Sequence, residues 1–215
     1  MHTYISLLLH DTIALITILN PIAAASIMIS MVGNPTPQVI RPIAFKATLT
    51  VLIASLVTLY TGELIFKFFG IDVMSIKVIG GIILMMVAIH MVNGQTSKTR
   101  HTEEEVSEAE EKEDISIVPL GIPILFGPGV ITTIIVLNHN MSKGYSPVIS
   151  YSILTLSIVI SCIVVYLTLR YASAIYKVLG ITGMKILTRI MGLIVGAIAA
   201  QFLVGGVKGL WTTLG

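Results

Sequence analysis

The chain has 215 residues, of which 55% are hydrophobic and only 11% are charged, and its mean hydropathy is +0.95. Soluble domains carry about 25% charged residues, so this composition predicts an integral membrane protein. Its basic side chains are scattered rather than gathered into one patch, which fits lipid headgroups at helix ends and argues against nucleic acid as a partner. A single cysteine, Cys162, excludes an internal disulfide and a dithiol redox mechanism.

Six apolar segments are long enough to cross a membrane, which takes about 20 helical residues. They span residues 5–31, 43–66, 73–92, 115–137, 148–169 and 186–207. No charged leader or small-residue cleavage site precedes the first segment, so we expect no cleavable signal. The third connection, residues 95–114, is the longest and most polar, and it divides the chain into residues 1–94 and residues 115–215.

The two halves resemble each other. Pro21 recurs as Pro128 after 107 residues, and Gly70 recurs as Gly180 after 110 residues. So small a drift across whole spans indicates a duplication. Each half holds three spans, and halves with an odd number of crossings must enter the membrane from opposite sides. We therefore predict an all-α membrane protein with six transmembrane helices, arranged as two inverted three-helix repeats.

The distribution of Lys and Arg predicts the orientation. With the N-terminus outside, nine basic residues fall on the inner side and four on the outer side, which favours both termini outside. The segment 95–114, which holds eight of the 11 acidic residues, is then a cytoplasmic linker. A Glu-rich run without aromatic residues cannot bury a core, so we favour a flexible tether over a docking segment.

Helix-breaking residues interrupt two of the spans. Asn20-Pro21 lies in the first span and Gly127-Pro128-Gly129 in the fourth. Proline removes a backbone donor, and the freed groups are tolerated in a membrane only where protein or a wet cavity covers them. Matched breaks in two halves are typical of transporters that bind substrate between discontinuous helices. We therefore predict discontinuous helices 1 and 4, whose free N–H groups would suit a carboxylate.

We interpret Glu63 as the only acid within a span. A carboxylate inside the membrane could serve ion coupling. Lys67, however, lies four residues later on the same helix face, and Glu63 is close to the helix end. The spacing favours an interfacial ion pair, with ion coupling as the alternative.

No pattern in the sequence indicates catalysis. The motifs His-Glu-x-x-His and Gly-x-Ser-x-Gly, a phosphate-binding Gly-Lys loop and paired intramembrane carboxylates are all missing. The five histidines are too dispersed to indicate a metal site. We therefore expect no enzymatic activity, no metal and no cofactor.

Short motifs follow one another in a characteristic order along nearly the whole chain. They are Asn20-Pro21, Gly62-Glu63-Leu64-Ile65, Phe69-Gly70-Ile71, Gly80-Gly81, Pro119-Leu120-Gly121-Ile122-Pro123, Gly127-Pro128-Gly129, Arg189-Ile190-Met191-Gly192-Leu193, Gln201-Phe202 and Gly205. This order resembles the MarC family of bacterial and archaeal integral membrane proteins, which overlaps with the neutral amino acid transporters. The resemblance implies a six-span carrier driven by an ion gradient, with protons as the expected coupling ion.

The resemblance also implies a substrate site at the two breaks. A bound zwitterion would place its carboxylate near the N–H groups of Gly129 or Ala23 and its ammonium near Asn20, Thr132, Thr133 or freed carbonyls. The predicted substrate-binding residues are Asn20, Pro21, Ile22, Ala23, Ala24, Gly127, Pro128, Gly129, Val130, Thr132 and Thr133. The chain departs from the family pattern at Ala23 and Ser26, where Gly and Pro are usual, and at Phe126, which replaces a small residue and is a candidate gate.

We therefore expect a secondary transporter of small neutral amino acids, such as glycine or alanine, in the cell (inner) membrane. Alternating access would arise from rocking of one three-span unit against the other. One alternative is an exporter of amino acids or other small metabolites that uses the same site. The other is a non-transporting membrane scaffold whose acidic linker recruits a partner.

Overall fold

A computed structural model of the protein describes residues 2–32, 35–94 and 115–214. These residues form seven α-helices: α1 His2–Leu19, α2 Pro21–Met31, α3 Pro37–Phe68, α4 Val73–Val92, α5 Pro128–Ser142, α6 Pro147–Arg170 and α7 Ala172–Leu214. An irregular helical stretch, Ser116–Leu125, precedes α5, and we call it the double-proline segment. The predicted linker, residues 95–114, lies outside the described residues.

Five stretches are long and apolar enough to cross a membrane: Thr3–Met31, Pro37–Phe68, Val73–Val92, Pro147–Arg170 and Ala172–Thr212. The double-proline segment and α5 meet the same requirement together, with a bend of 55° between them. The prediction of an all-α membrane protein is confirmed, with five or six candidate spans among the described residues.

Proline sets where several of these helices begin. Pro21, Pro37, Pro128 and Pro147 all occupy the start of a helix. The first N–H of a helix has no partner within the helix, so proline loses nothing at this position, and its fixed φ suits the helix. Asp72 starts α4 differently, because its carboxylate accepts a backbone N–H bond of 3.2 Å from the first turn.

Glycines allow α4 and α7 to pack closely. A β-carbon on Gly81 would lie 3.0 Å from the carbonyl oxygen of Ala199, and one on Gly192 would lie 3.1 Å from the backbone nitrogen of Val92. Backbone atoms cannot move aside as a flexible side chain can. The contact between these two helices therefore depends on residues without a side chain, as is common for helices packed in membranes.

The last connection differs from the prediction. The sequence predicts a loop around Gly180 and a sixth span that starts at residue 186. Instead, α7 begins at Ala172 and is interrupted only at Gly180, where φ is 62° and ψ is −178°. Glycine adopts this backbone without a steric penalty, so the chain changes direction within one residue.

Candidate functional site

The first break lies at Asn20, between α1 and α2. Its backbone is left-handed, with φ 45° and ψ 61°, a conformation that asparagine tolerates better than most residues. The side-chain Oδ1 accepts a hydrogen bond of 3.4 Å from Ala23 N, and the carbonyl accepts one of 3.2 Å from Ala24 N. Pro21 has no N–H. The backbone N–H of Ile22 is therefore the only N–H in the first turn of α2 that has no acceptor at this helix start.

The second break lies at Phe126 and Gly127, between the double-proline segment and α5. Gly127 is extended, with φ −106° and ψ 178°, and its carbonyl accepts a hydrogen bond of 3.3 Å from Ile131 N. Pro128 occupies the first helical position, so the amide of Gly129 has no acceptor inside α5. Both breaks therefore present the same arrangement, a proline followed by an amide that its own helix leaves unbonded.

Helix α4 lies against both breaks. A β-carbon on Gly129 would lie 2.7 Å from Leu84 Cδ2 and 3.8 Å from Ile18 Cγ2, which places the second break beside the last turn of α1. At the first break, Asn20 Nδ2 lies 3.8 Å from Met91 Sδ. Leu84 and Met91 are both buried. Sequence reasoning missed these two residues because α4 is apolar on all sides, and such a helix does not indicate which face contacts a site.

Most of the predicted substrate-binding residues are inaccessible to solvent. The buried ones are Pro21, Ala24, Gly129, Val130, Thr132 and Thr133, the half-buried ones are Asn20, Ile22, Ala23 and Gly127, and Pro128 is exposed. Phe126 is buried and belongs to the same apolar cluster as Ala24 and Val130. Its ring therefore packs in a cluster to which both breaks contribute.

The two threonines make hydrogen bonds within their own helix. Thr132 Oγ1 donates to Pro128 O at 3.0 Å, and Thr133 Oγ1 donates to Gly129 O at 2.7 Å. Thr132 also packs on Gly80 of α4, where an added β-carbon would overlap its side chain. Because both hydroxyl protons are already donated, these oxygens can offer only lone pairs to a ligand, which suits an ammonium group.

Glu63 lies near the end of α3. The predicted ion pair is present, since Glu63 Oε1 lies 3.1 Å from Lys67 Nζ. Glu63 Oε2 accepts a hydrogen bond of 3.5 Å from Asn138 Nδ2, which belongs to the last part of α5. Glu63 is therefore paired with the charge of Lys67 on its own helix and linked to the end of α5 through the amide of Asn138.

The interpretation of Glu63 as the only acid within a span is wrong. Asp11 lies in α1, inside the apolar stretch Thr3–Met31, and its exposed fraction is 2%. Among the residues whose exposure is described, Asp11 is the only acidic or basic side chain that is buried. The signal was present in the sequence, because Asp11 places a carboxylate inside the first predicted span, residues 5–31.

Comparison with known proteins identifies the family. The model of the MarC family integral membrane proteins matches residues 5–211. The chain is 34% identical over 199 residues to a UPF0056 membrane protein of Aquifex aeolicus, covering 92% of this chain and 91% of that protein. It is 36% identical over 197 residues to one of Methanocaldococcus jannaschii, covering 91% and 93%. It is 32% identical over 210 residues to the UPF0056 membrane protein YvbG of Bacillus subtilis, covering 97% and 98%.

No solved structure matches the chain significantly. The family model, however, covers nearly the whole sequence, and the similar proteins align over most of their own lengths. The resemblance predicted from the motifs is thereby confirmed. The chain belongs to the MarC family of integral membrane proteins.

Proposed function

We propose that this MarC protein is a secondary transporter of small neutral amino acids, driven by a proton gradient, which binds its substrate between the breaks at Asn20 and Gly127. The observation that carries the proposal is the proximity of the two breaks: Gly129 lies beside Ile18, and α4 contacts both. Each break ends in a helix start whose second amide, that of Ile22 or Gly129, has no acceptor within its own helix. Two such starts supply partial positive charge for one carboxylate.

The surroundings of the breaks favour a small substrate without a charged side chain. Ala24 and Gly129 are buried there, and a β-carbon on Gly129 would already lie 2.7 Å from Leu84 Cδ2, so there is little room for a long side chain. The buried acidic residue of this region, Asp11, is nine residues from Asn20, which is about 14 Å along a helix. A charged substrate side chain would therefore remain unpaired, at a cost of several kcal/mol. Glycine and alanine meet both requirements.

The local geometry of the two breaks supports the proposed inverted repeats. In each break a proline begins the helix, and the carbonyl of the preceding residue accepts a hydrogen bond from the fourth helical position, Ala24 or Ile131. These equivalent residues are 107 positions apart, as are the two prolines. Residues 1–94 and 115–215 would form the repeats, with discontinuous helices 1 and 4. Rocking of one repeat against the other would then expose the site to each side in turn.

The remaining parts of the proposal follow from charge and packing. The excess of basic residues on one side supports an orientation with both termini outside and the linker in the cytoplasm, and the proposed location is the cell (inner) membrane. Phe126 would close the site, because its buried ring belongs to the apolar cluster that also contains Ala24 and Val130. The ring would have to move before a substrate could enter, which is the role of a gate.

Transport in proteoliposomes tests the proposal. Labelled glycine and alanine are offered to the purified protein with and without an imposed pH gradient, and we expect saturable uptake that increases with the proton gradient. A protein that inserts correctly but shows no saturable, gradient-sensitive flux would contradict the proposed function.

A pair of glycine variants tests the position of the site. Gly129→Leu should abolish uptake without preventing insertion, because position 129 already touches Leu84. Gly144→Leu is the matched control, since a β-carbon there meets no atom within 4 Å, and it should transport normally. Uptake by Gly129→Leu at the wild-type affinity would show that the substrate binds elsewhere.

A further inference from the structure

Asp11 is a buried carboxyl group that the proposed substrate site does not use. Its Oδ1 lies 3.0 Å from His10 Nδ1, whereas its Oδ2 is buried and has no hydrogen-bond partner among the described residues. A carboxylate that has left water needs donors for both oxygens, and an unmet acceptor is destabilising. A bound proton removes the charge, so the neutral acid suits this position in the closed arrangement.

The interface that holds Asp11 is polar although it lies between two apolar spans. From α6, Ser157 Oγ donates to the carbonyl of Leu8 at 3.5 Å, and Ser161 Oγ, which donates to Ser157 O at 2.7 Å, lies 3.3 Å from the carbonyl oxygen of Thr12. Both serines are fully buried. These two contacts lie on either side of Asp11 along α1. If α1 and α6 moved apart, water could take the place of these two hydroxyl groups beside the carbonyls of α1.

His10 is the ionisable partner of Asp11. Its side chain is 71% exposed, so it joins the buried carboxyl group to the surface of the bundle. The helices packed on α1 carry further ionisable side chains, among them His139 of α5, Cys162 of α6 and Lys208 of α7. Within the described part of the chain, the hydrogen bond or ion pair of Asp11 is the one with His10, and its Oδ2 has no partner. No Lys or Arg side chain in the described part of the chain pairs with Asp11, as one would in a structural ion pair.

We propose that Asp11 is the proton-carrying residue of the transport cycle, protonated in the closed arrangement and deprotonated when the interface between α1 and α6 admits water. This inference rests on the proposed transport function. Because α1 also ends at Asn20, a movement of this helix that hydrates Asp11 would shift the first break as well. Proton binding and substrate binding would then favour the same state, which is the condition for coupling them.

A chemical label tests the proton site without any transport measurement. Dicyclohexylcarbodiimide reacts with protonated carboxyl groups in apolar surroundings. The acid proton moves to one carbodiimide nitrogen, the carboxyl oxygen adds to the central carbon, and an oxygen-to-nitrogen acyl shift gives an N-acylurea with no leaving group. We expect mass spectrometry to find the label on Asp11, with labelling that falls as the pH rises. Asp72, an exposed helix cap, should remain unlabelled.

The labelling result alone can overturn the inference. An unlabelled Asp11 at low pH, or labelling that does not change with pH, contradicts a reversible proton site. Protection of Asp11 by sodium ions at constant pH would show that a metal cation, not a proton, occupies the site. Since these measurements use the wild-type protein, they do not depend on whether a variant folds.

Transport by Asp11→Asn then separates this inference from the proposed function. Asparagine keeps the shape of a protonated carboxyl but cannot release a proton. We expect exchange of internal for external alanine at the wild-type rate and complete loss of accumulation driven by a pH gradient. Asp72→Asn is the matched control and should retain both activities, because asparagine also caps helices.

The two proposals fail in different ways. If wild-type protein neither exchanges nor accumulates amino acids, the transport proposal fails, whatever the labelling of Asp11 shows. If wild-type protein accumulates alanine and Asp11→Asn does so equally well, transport stands and the role of Asp11 is refuted.

Discussion

Replacing Asn20 by glycine and by alanine should separate the two roles of this residue. Asn20 holds the left-handed backbone of the first break, with φ 45°, and its side chain caps α2 through the 3.4 Å bond from Ala23 N. Glycine keeps the left-handed backbone without steric cost but removes the cap. Alanine removes the cap and also places a β-carbon in a backbone conformation that disfavours it.

The two changes should differ clearly in the free energy of unfolding. Replacing a capping asparagine by alanine costs about 0.5–2 kcal/mol, and the long cap bond of Asn20 places it near the lower end of that range. The left-handed backbone adds roughly 1–2 kcal/mol for alanine. The sum is roughly 2 kcal/mol for Asn20→Ala, compared with a few tenths of a kcal/mol for Asn20→Gly.

Unfolding by sodium dodecyl sulfate in mixed micelles, followed by circular dichroism, measures this difference. We expect a large loss of stability for Asn20→Ala and a small one for Asn20→Gly. In proteoliposomes, Asn20→Gly should insert normally. It should bind alanine more weakly, because it lacks the side-chain amide that Asn20 would present to the substrate. Equal destabilisation by the two variants would refute the claim that Asn20 is needed for its backbone conformation.

Three further predictions concern other positions. Gly80→Ala should lower the free energy of unfolding by about 1–3 kcal/mol, because the new β-carbon overlaps Thr132, whereas Gly196→Ala, whose β-carbon meets an ordinary contact of 3.4 Å, should change it little. Glu63→Gln should change the stability by at most about 1 kcal/mol, since the partly exposed pair with Lys67 contributes little. Glu63→Gln should also leave proton-driven uptake intact. Loss of that uptake would show that Glu63, and not Asp11, couples transport to protons. Cys162, which is 3% exposed, should resist a maleimide in the folded protein and react after denaturation, and rapid labelling of the folded protein would contradict its burial.

The spans were predictable because length and hydropathy determine them. The third predicted span, residues 73–92, coincides with α4, Val73–Val92. A membrane requires about 20 apolar helical residues whatever the tertiary structure, so a span can be predicted from its own sequence alone. The sequence of α4 does not predict in the same way which face of the helix is buried. Leu84 and Met91 contact the breaks because of how the helices pack. The sequence of a helix that is apolar on all sides does not indicate which residues make such contacts.

The double-proline segment interrupts the predicted fourth span, residues 115–137. Pro119 and Pro123 are the local signal for this interruption. In the structure Val118 and Ile122 are extended, with φ −125° and −131°. A residue that precedes proline is sterically pushed towards extended backbone, so two such residues four positions apart prevent a continuous α-helix.

The central claim is that the two helix breaks together hold a small neutral amino acid. A structure of the protein in lipid nanodiscs with saturating alanine tests it most directly. We predict density for one alanine between the first turns of α2 and α5, with its carboxylate in hydrogen-bond reach of the amides of Ile22 and Gly129. Alanine bound at any other position, or an empty site in protein that transports alanine, would contradict the account.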